Sequence, residues 1–173
     1  MVDYTTIEQT LNELNTQYNK SSDLKMQILI SKFALLEFCG WIEVAMDDIL
    51  LEYLLANVSN VDIQESAKKR IENNWGFHFQ SNIEPLFCYI IGVVNWQKVV
   101  NSLDQINKKE VLVSTLNNFT KKRGAAAHTN TQVTQSYDAP STIKNNFDNP
   151  IILSSEGKMR SVSGALPLLL CSP

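Results

Sequence analysis

The chain has 173 residues, 44% of them hydrophobic and 19% charged, which is the size and balance of one globular domain and not of a disordered, collagen-like or membrane protein. A formal charge of −3 excludes coating of nucleic acid by bulk positive charge and leaves room only for a local basic patch. The start MVDYTTIEQT lacks a basic segment followed by an apolar one, and no apolar run reaches the roughly 20 residues that span a bilayer, so neither a secretory signal nor a membrane partner is expected and the cytoplasm is the expected location.

Tyr4, Ile7, Leu11, Leu14 and Tyr18 recur every three or four residues, which predicts an amphipathic helix from Asp3 to about Tyr18. Lys20-Ser21-Ser22-Asp23 reads as a break with a new helix cap. From Leu24 to about Ala56 the apolar pattern runs on without Pro, predicting one long helix or two joined near Gly40. Its acidic residues Glu37, Glu43, Asp47, Asp48 and Glu52 scatter around the helix, apart from Glu43 with Asp47 and Asp48 with Glu52. No His joins them, so they are expected to be a solvated face and not a metal site. Asn57 to Asn60 is a linker, and Val61 to about Asn74 a short amphipathic helix whose Lys68-Lys69-Arg70 cluster is expected in solvent.

Trp75-Gly76-Phe77-His78-Phe79 is an aromatic stretch at a turn, bracketed by short helices, and Pro85 fits the first turn of the second of them. His78 has no second ligand at metal spacing and is read as structural. Trp96 to Leu103 is weakly amphipathic. Lys108 to about Thr129 is a clearer helix, with Val111, Leu112, Leu116, Phe119 and Ala125 to Ala127 at its apolar or small positions. Polar residues then take over, and Asp138-Ala139-Pro140-Ser141 is a turn leading into a short segment through Phe147. The ending follows neither the helical nor the strand period. The expected organisation is a helical domain over residues 1–147 and an irregular tail over 148–173. Cys39, Cys88 and Cys171 are far apart without a CxxC pair, and are read as buried or idle thiols.

No glycine-rich phosphate loop, HExxH zinc motif or GxSxG nucleophile turn occurs, so no cofactor and no metal is expected. What remains is Lys121-Lys122-Arg123-Gly124-Ala125-Ala126-Ala127-His128-Thr129-Asn130, an Arg and a His five residues apart around small side chains. With its flanks this segment resembles the HEPN families, most closely the RiboL-PSP-HEPN type, in which an Arg, four to six residues and a His recur in a late helix of a helical bundle. The flanks are Cys39-Gly40-Trp41-Ile42-Glu43 followed by Asp47-Asp48, then Trp75-Gly76-Phe77, and Asp138-Ala139-Pro140-Ser141, so the likeness covers roughly residues 20–147.

The resemblance implies an all-α, HEPN-like bundle of about four to six helices that works as a homodimer. It implies metal-independent endoribonuclease activity on single-stranded RNA, with Arg123 and His128 as the catalytic pair; their neighbours Lys121, Lys122 and Asn130 are the candidate substrate-binding residues. A toxin or phage-defence setting, with an antitoxin or other regulatory protein as partner, is the context it suggests. Relatives carry a polar residue, often Asn, after the Arg, and this chain has Gly124. The alternative expectation is a non-catalytic HEPN protein-interaction or nucleotide- or RNA-binding module.

The residue types suit the chemistry. A His with a reference pKa near ~6.5 exchanges protons at neutral pH, and an Arg offers a permanently charged fork that matches phosphate oxygens. Five residues turn a helix by about 500°, which leaves the two side chains about 140° apart, so one helix presents a divided site. A two-fold copy would bring two Arg and two His into one cleft, and Gly124 to Ala127 are small enough to permit close approach. Lys108, Lys109, Lys121 and Lys122 would supply the local field that the net charge lacks.

Overall fold

The long apolar stretch from Leu24 onward forms a single helix, and the other elements gather around it. The computed structural model describes residues 4–128 and 136–148; the expected site residue Asn130 and all but the first residue of the expected tail lie outside the described residues. In chain order the helices are α1 (Thr5–Lys20), α2 (Leu24–Asn57), α3 (Val61–Glu72), α4 (Glu84–Ile91), α5 (Val93–Gln105), α6 (Lys109–His128) and α7 (Pro140–Asp148), with a π turn over Phe79–Ile83 before α4. The all-α class is the one expected. The described residues hold seven α-helices, above the expected four to six, because the weakly amphipathic stretch around Trp96 and the short segment after Asp138 each form a helix of their own.

Local chemistry sets the boundaries. The Asp23 carboxylate accepts from Lys25 N at 2.9 Å and starts α2, and the Asn60 side chain accepts from Ile63 N at 3.0 Å and starts α3, each satisfying an N–H that a helix start leaves bare. Gly92 has φ +82°, a left-handed conformation that glycine adopts at little cost, and it ends α4 and opens α5 at a sharp corner. Asn107 at φ +54° closes α5: Lys108 N donates to Leu103 O at 2.9 Å and Asn107 N to Asp104 O at 3.0 Å, the paired bonds of a Schellman cap.

α2 packs against α1, α3, α4, α6 and α7, and so serves as the axis of the bundle. Gly40 does not break it. Phe38, at the middle of α2, meets the Phe119 ring of α6 edge-on at 4.9 Å and stacks on Trp41, which in turn meets Tyr4 at the start of α1. Leu11, Leu50, Ile71, Phe77, Phe87 and Leu116 complete the fully buried centre. Burying each such side chain is worth about 1.5–3 kcal/mol, and their spread over five elements makes the bundle one cooperative core. α7 closes the α1–α2 side through buried Ile143 and a Lys144–Glu8 ion pair at 2.9 Å.

Candidate functional site

On α6 the inward residues are Leu112, Leu116, Phe119 and Ala126. Their spacing of four, three and seven leaves one inward position between Phe119 and Ala126, and Arg123 occupies it. A cation on the apolar stripe must find a partner, because desolvating it alone is costly. The partner is Glu43 of α2, whose Oε1 accepts from Arg123 Nη1 at 2.6 Å, with the two side chains 37% and 24% exposed for Arg123 and Glu43 respectively.

The approach of α2 to α6 explains why these two meet. Cys39 is fully buried and lies within 3.9 Å of Phe119 O, so a small side chain lets the helices come close. Four residues further along each helix, Glu43 faces Arg123. The guanidinium also lies over the Phe77 ring, 6.0 Å from its centre, where the electron-rich face attracts a cation. Burial pushes the Cys39 thiol up to about 12; Arg123 pulls it down less than burial raises it, and Glu43 adds to the rise. That thiol is an inert packing group, as expected.

Glu43 is the site residue that the sequence reading misplaced. It was expected on a solvated face and is instead the half-buried counter-ion of Arg123. The signal was the pairing of Glu43 with Asp47 one turn on, beside the inward residues Ile42 and Met46. Asp47 is half-buried too, and its carboxyl is pushed up to about 6, first by burial, then by Glu43, Asp48 and Glu72 of α3. Among the described residues no three His, Cys, Asp or Glu side chains gather in a way that could hold a metal ion.

His128 is the last residue of α6 and is exposed, with no hydrogen bond or ion pair from its ring to the described residues. The structure therefore does not bring it to Arg123 within one chain. Gly124, Ala125 and Ala127 are exposed between them, and a Cβ added at Gly124 would meet nothing within 4 Å. Lys121 is exposed, whereas Lys122 is half-buried and forms an ion pair with Asp138, which ties α6 to the segment before α7. Lys109 pairs with Asp104 at 3.3 Å.

Two other sequence expectations are settled by contacts. His78 Nδ1 lies 3.1 Å from Ser81 Oγ and its carbonyl accepts from Asn82 N and Ile83 N, which makes it the structural residue that opens the π turn. Arg70, expected to be simply solvated, lies over the Tyr89 ring at 5.9 Å. A groove of about 430 Å³ between α2, α3 and α4, lined by Leu54, Val58, Ile63, Ala67, Tyr89 and Ile90, shares no residue with the Arg123 site. No described helix is long and apolar enough to cross a membrane. No family model, curated protein or solved structure matches the chain.

Proposed function

We propose that the protein is a HEPN-type, metal-independent endoribonuclease that cuts single-stranded RNA at a site completed by a second copy of the chain. The observation that supports this reading is the contrast along one helix. Arg123 is oriented by Glu43 and Phe77, while His128 stands exposed, with no ring hydrogen bond or ion pair among the described residues, at the end of an exposed face of small residues. A guanidinium has five N–H donors, and Glu43 engages one Nη, so donors remain for phosphate oxygens.

The chemistry needs no metal. His128 takes the proton of a ribose 2′-hydroxyl, whose oxygen attacks the neighbouring phosphorus. Arg123 offsets the negative charge that builds on the phosphate, and the 5′ oxygen leaves by taking a proton from water, giving a 2′,3′-cyclic phosphate and a 5′-hydroxyl. The small face of Gly124, Ala125 and Ala127 would allow two copies of α6 to approach across a two-fold axis and place the His of one near the Arg of the other. Lys121 and, outside the described residues, Asn130 are proposed as contacts to the strand.

Purified protein should cleave single-stranded RNA in EDTA to cyclic-phosphate ends and behave as a dimer by mass in solution. Arg123→Ala and His128→Ala should each remove cleavage and keep the dimer. Undiminished cutting by either variant sinks the assignment. A dimer that never cuts assigns the chain to the non-catalytic interaction modules of the same type, in which Gly124 replaces the polar neighbour of the Arg.

A further inference from the structure

Trp75 is 83% exposed, more than any other large hydrophobic side chain among the described residues. An aromatic ring of this size buries about 150–250 Å² when it packs, and that burial is forgone while the ring stands in water. The other two tryptophans behave differently: Trp96 is buried against Phe79 and Phe87, and Trp41 packs on Phe38.

The segment that carries Trp75 is tightly built. Asn82 Nδ2 donates to the Trp75 carbonyl at 2.9 Å, and Asn74 Nδ2 donates to Gly76 O at 3.3 Å. Gly76 has φ +100°, a conformation that side-chain-bearing residues rarely adopt, and it lets the chain turn so that Phe77 is buried while Trp75 stays outside.

Helix α6 holds the same segment at two points. Asn117 Oδ1 accepts from Phe79 N at 2.9 Å, and its Nδ2 donates to Gln80 Oε1 at 3.0 Å. Less than two turns on, Arg123 lies over the Phe77 ring. Trp75 is two residues from Phe77, at most roughly 7 Å of backbone, so the exposed indole is carried on the same hydrogen-bonded segment whose Phe77 ring meets the Arg123 guanidinium.

An exposed aromatic surface and a cation met by one segment are what a single strand requires, because every base has a face to stack and every linkage a phosphate to hold. We infer that Trp75 is a stacking platform for one unpaired nucleobase of the strand whose phosphate Arg123 holds. This rests on the RNA reading above and adds how the strand is gripped.

The test uses the full chain in EDTA and a fluorescein-labelled, 2′-O-methylated oligoribonucleotide that cannot be cut, with binding read by anisotropy. Trp75→Ala should weaken binding about 5- to 150-fold, the equivalent of ~1–3 kcal/mol for one stacked base, and Trp75→Phe should keep most of the affinity. An oligonucleotide of abasic residues should bind the wild type more weakly and bind Trp75→Ala no worse than it binds the wild type. The indole is exposed, so melting temperature should not move, and an unchanged melt separates lost stacking from lost folding. If Trp75→Ala binds as tightly as wild type while Arg123→Ala does not bind, stacking is overturned and the RNA reading stands; Trp75 is then free to anchor a protein partner. If the wild type binds no RNA, both are overturned. If the wild type binds without ever cutting natural RNA, and Trp75→Ala binds more weakly, stacking stands and the nuclease reading fails.

Discussion

The two halves of α6 are built on opposite terms. From Leu112 to Phe119 every third or fourth side chain is buried against the bundle, and the Phe119 ring meets Phe38 of the central helix. From Arg123 to His128 only Ala126 is buried, and the inward position before it holds a cation. The first half fixes the helix, and the second carries Arg123 and His128 beyond it. Rigid support one turn away lets the helix end carry a half-buried guanidinium and an exposed imidazole, since neither needs to form its own scaffold.

Removing the support should have the largest effect on stability. Phe119→Ala leaves a cavity at the α2–α6 contact and should cost about 3–5 kcal/mol in urea unfolding. A loss under about 1 kcal/mol would mean that α6 is held elsewhere. Glu43→Ala comes next. It leaves the half-buried Arg123 without its carboxylate and should cost about 1–3 kcal/mol, a charged hydrogen bond's worth, whereas a Glu on a solvated face would cost almost nothing.

Asp47 sharpens the comparison through pH. Its carboxyl is raised in the folded chain from an ordinary 3.8 to about 6, so the fold binds that proton more tightly than the unfolded chain does. Its contribution to stability is full below pH 3.8 and is lost as the pH rises through about 6. Asp47→Asn should therefore raise the melting temperature at pH 8 by about 2–4 °C, for ~1 kcal/mol after solvent screening, and change little near pH 4. An equal shift at both pH values would contradict this origin.

The smallest effect belongs to Gly124. Nothing lies within 4 Å of a Cβ there, so Gly124→Ala should gain up to ~1 kcal/mol of helix propensity in dilute solution. If a second copy packs on this face, the same change should weaken the dimer in sedimentation at higher concentration. A gain in stability with an unchanged dimer would place the interface elsewhere.

The sequence made the helices legible because their apolar residues keep helical spacing and their caps are Asp23 and Asn60. It showed α5 weakly, since only Trp96, Val99 and Leu103 of that helix are buried and much of the rest is polar. Arg123 and His128 were visible as a motif, but Glu43 was not visible as its partner. Periodicity shows which face of a helix turns inward, but not which charge on another helix meets it 80 residues away. Trp75 stood out as an aromatic in a turn, yet only the hydrogen bonds of Asn74 and Asn82 show that the turn is built to hold it outside.

The central claim is that the Arg of one chain works with the His of another, and subunit mixing tests it most directly. Arg123→Ala and His128→Ala chains, each inactive alone, are mixed, allowed to exchange, and assayed on single-stranded RNA in EDTA. The account predicts recovery to about a quarter of wild-type activity, because half the dimers are mixed and each has one complete site of two. No recovery in dimers shown to have exchanged would contradict it.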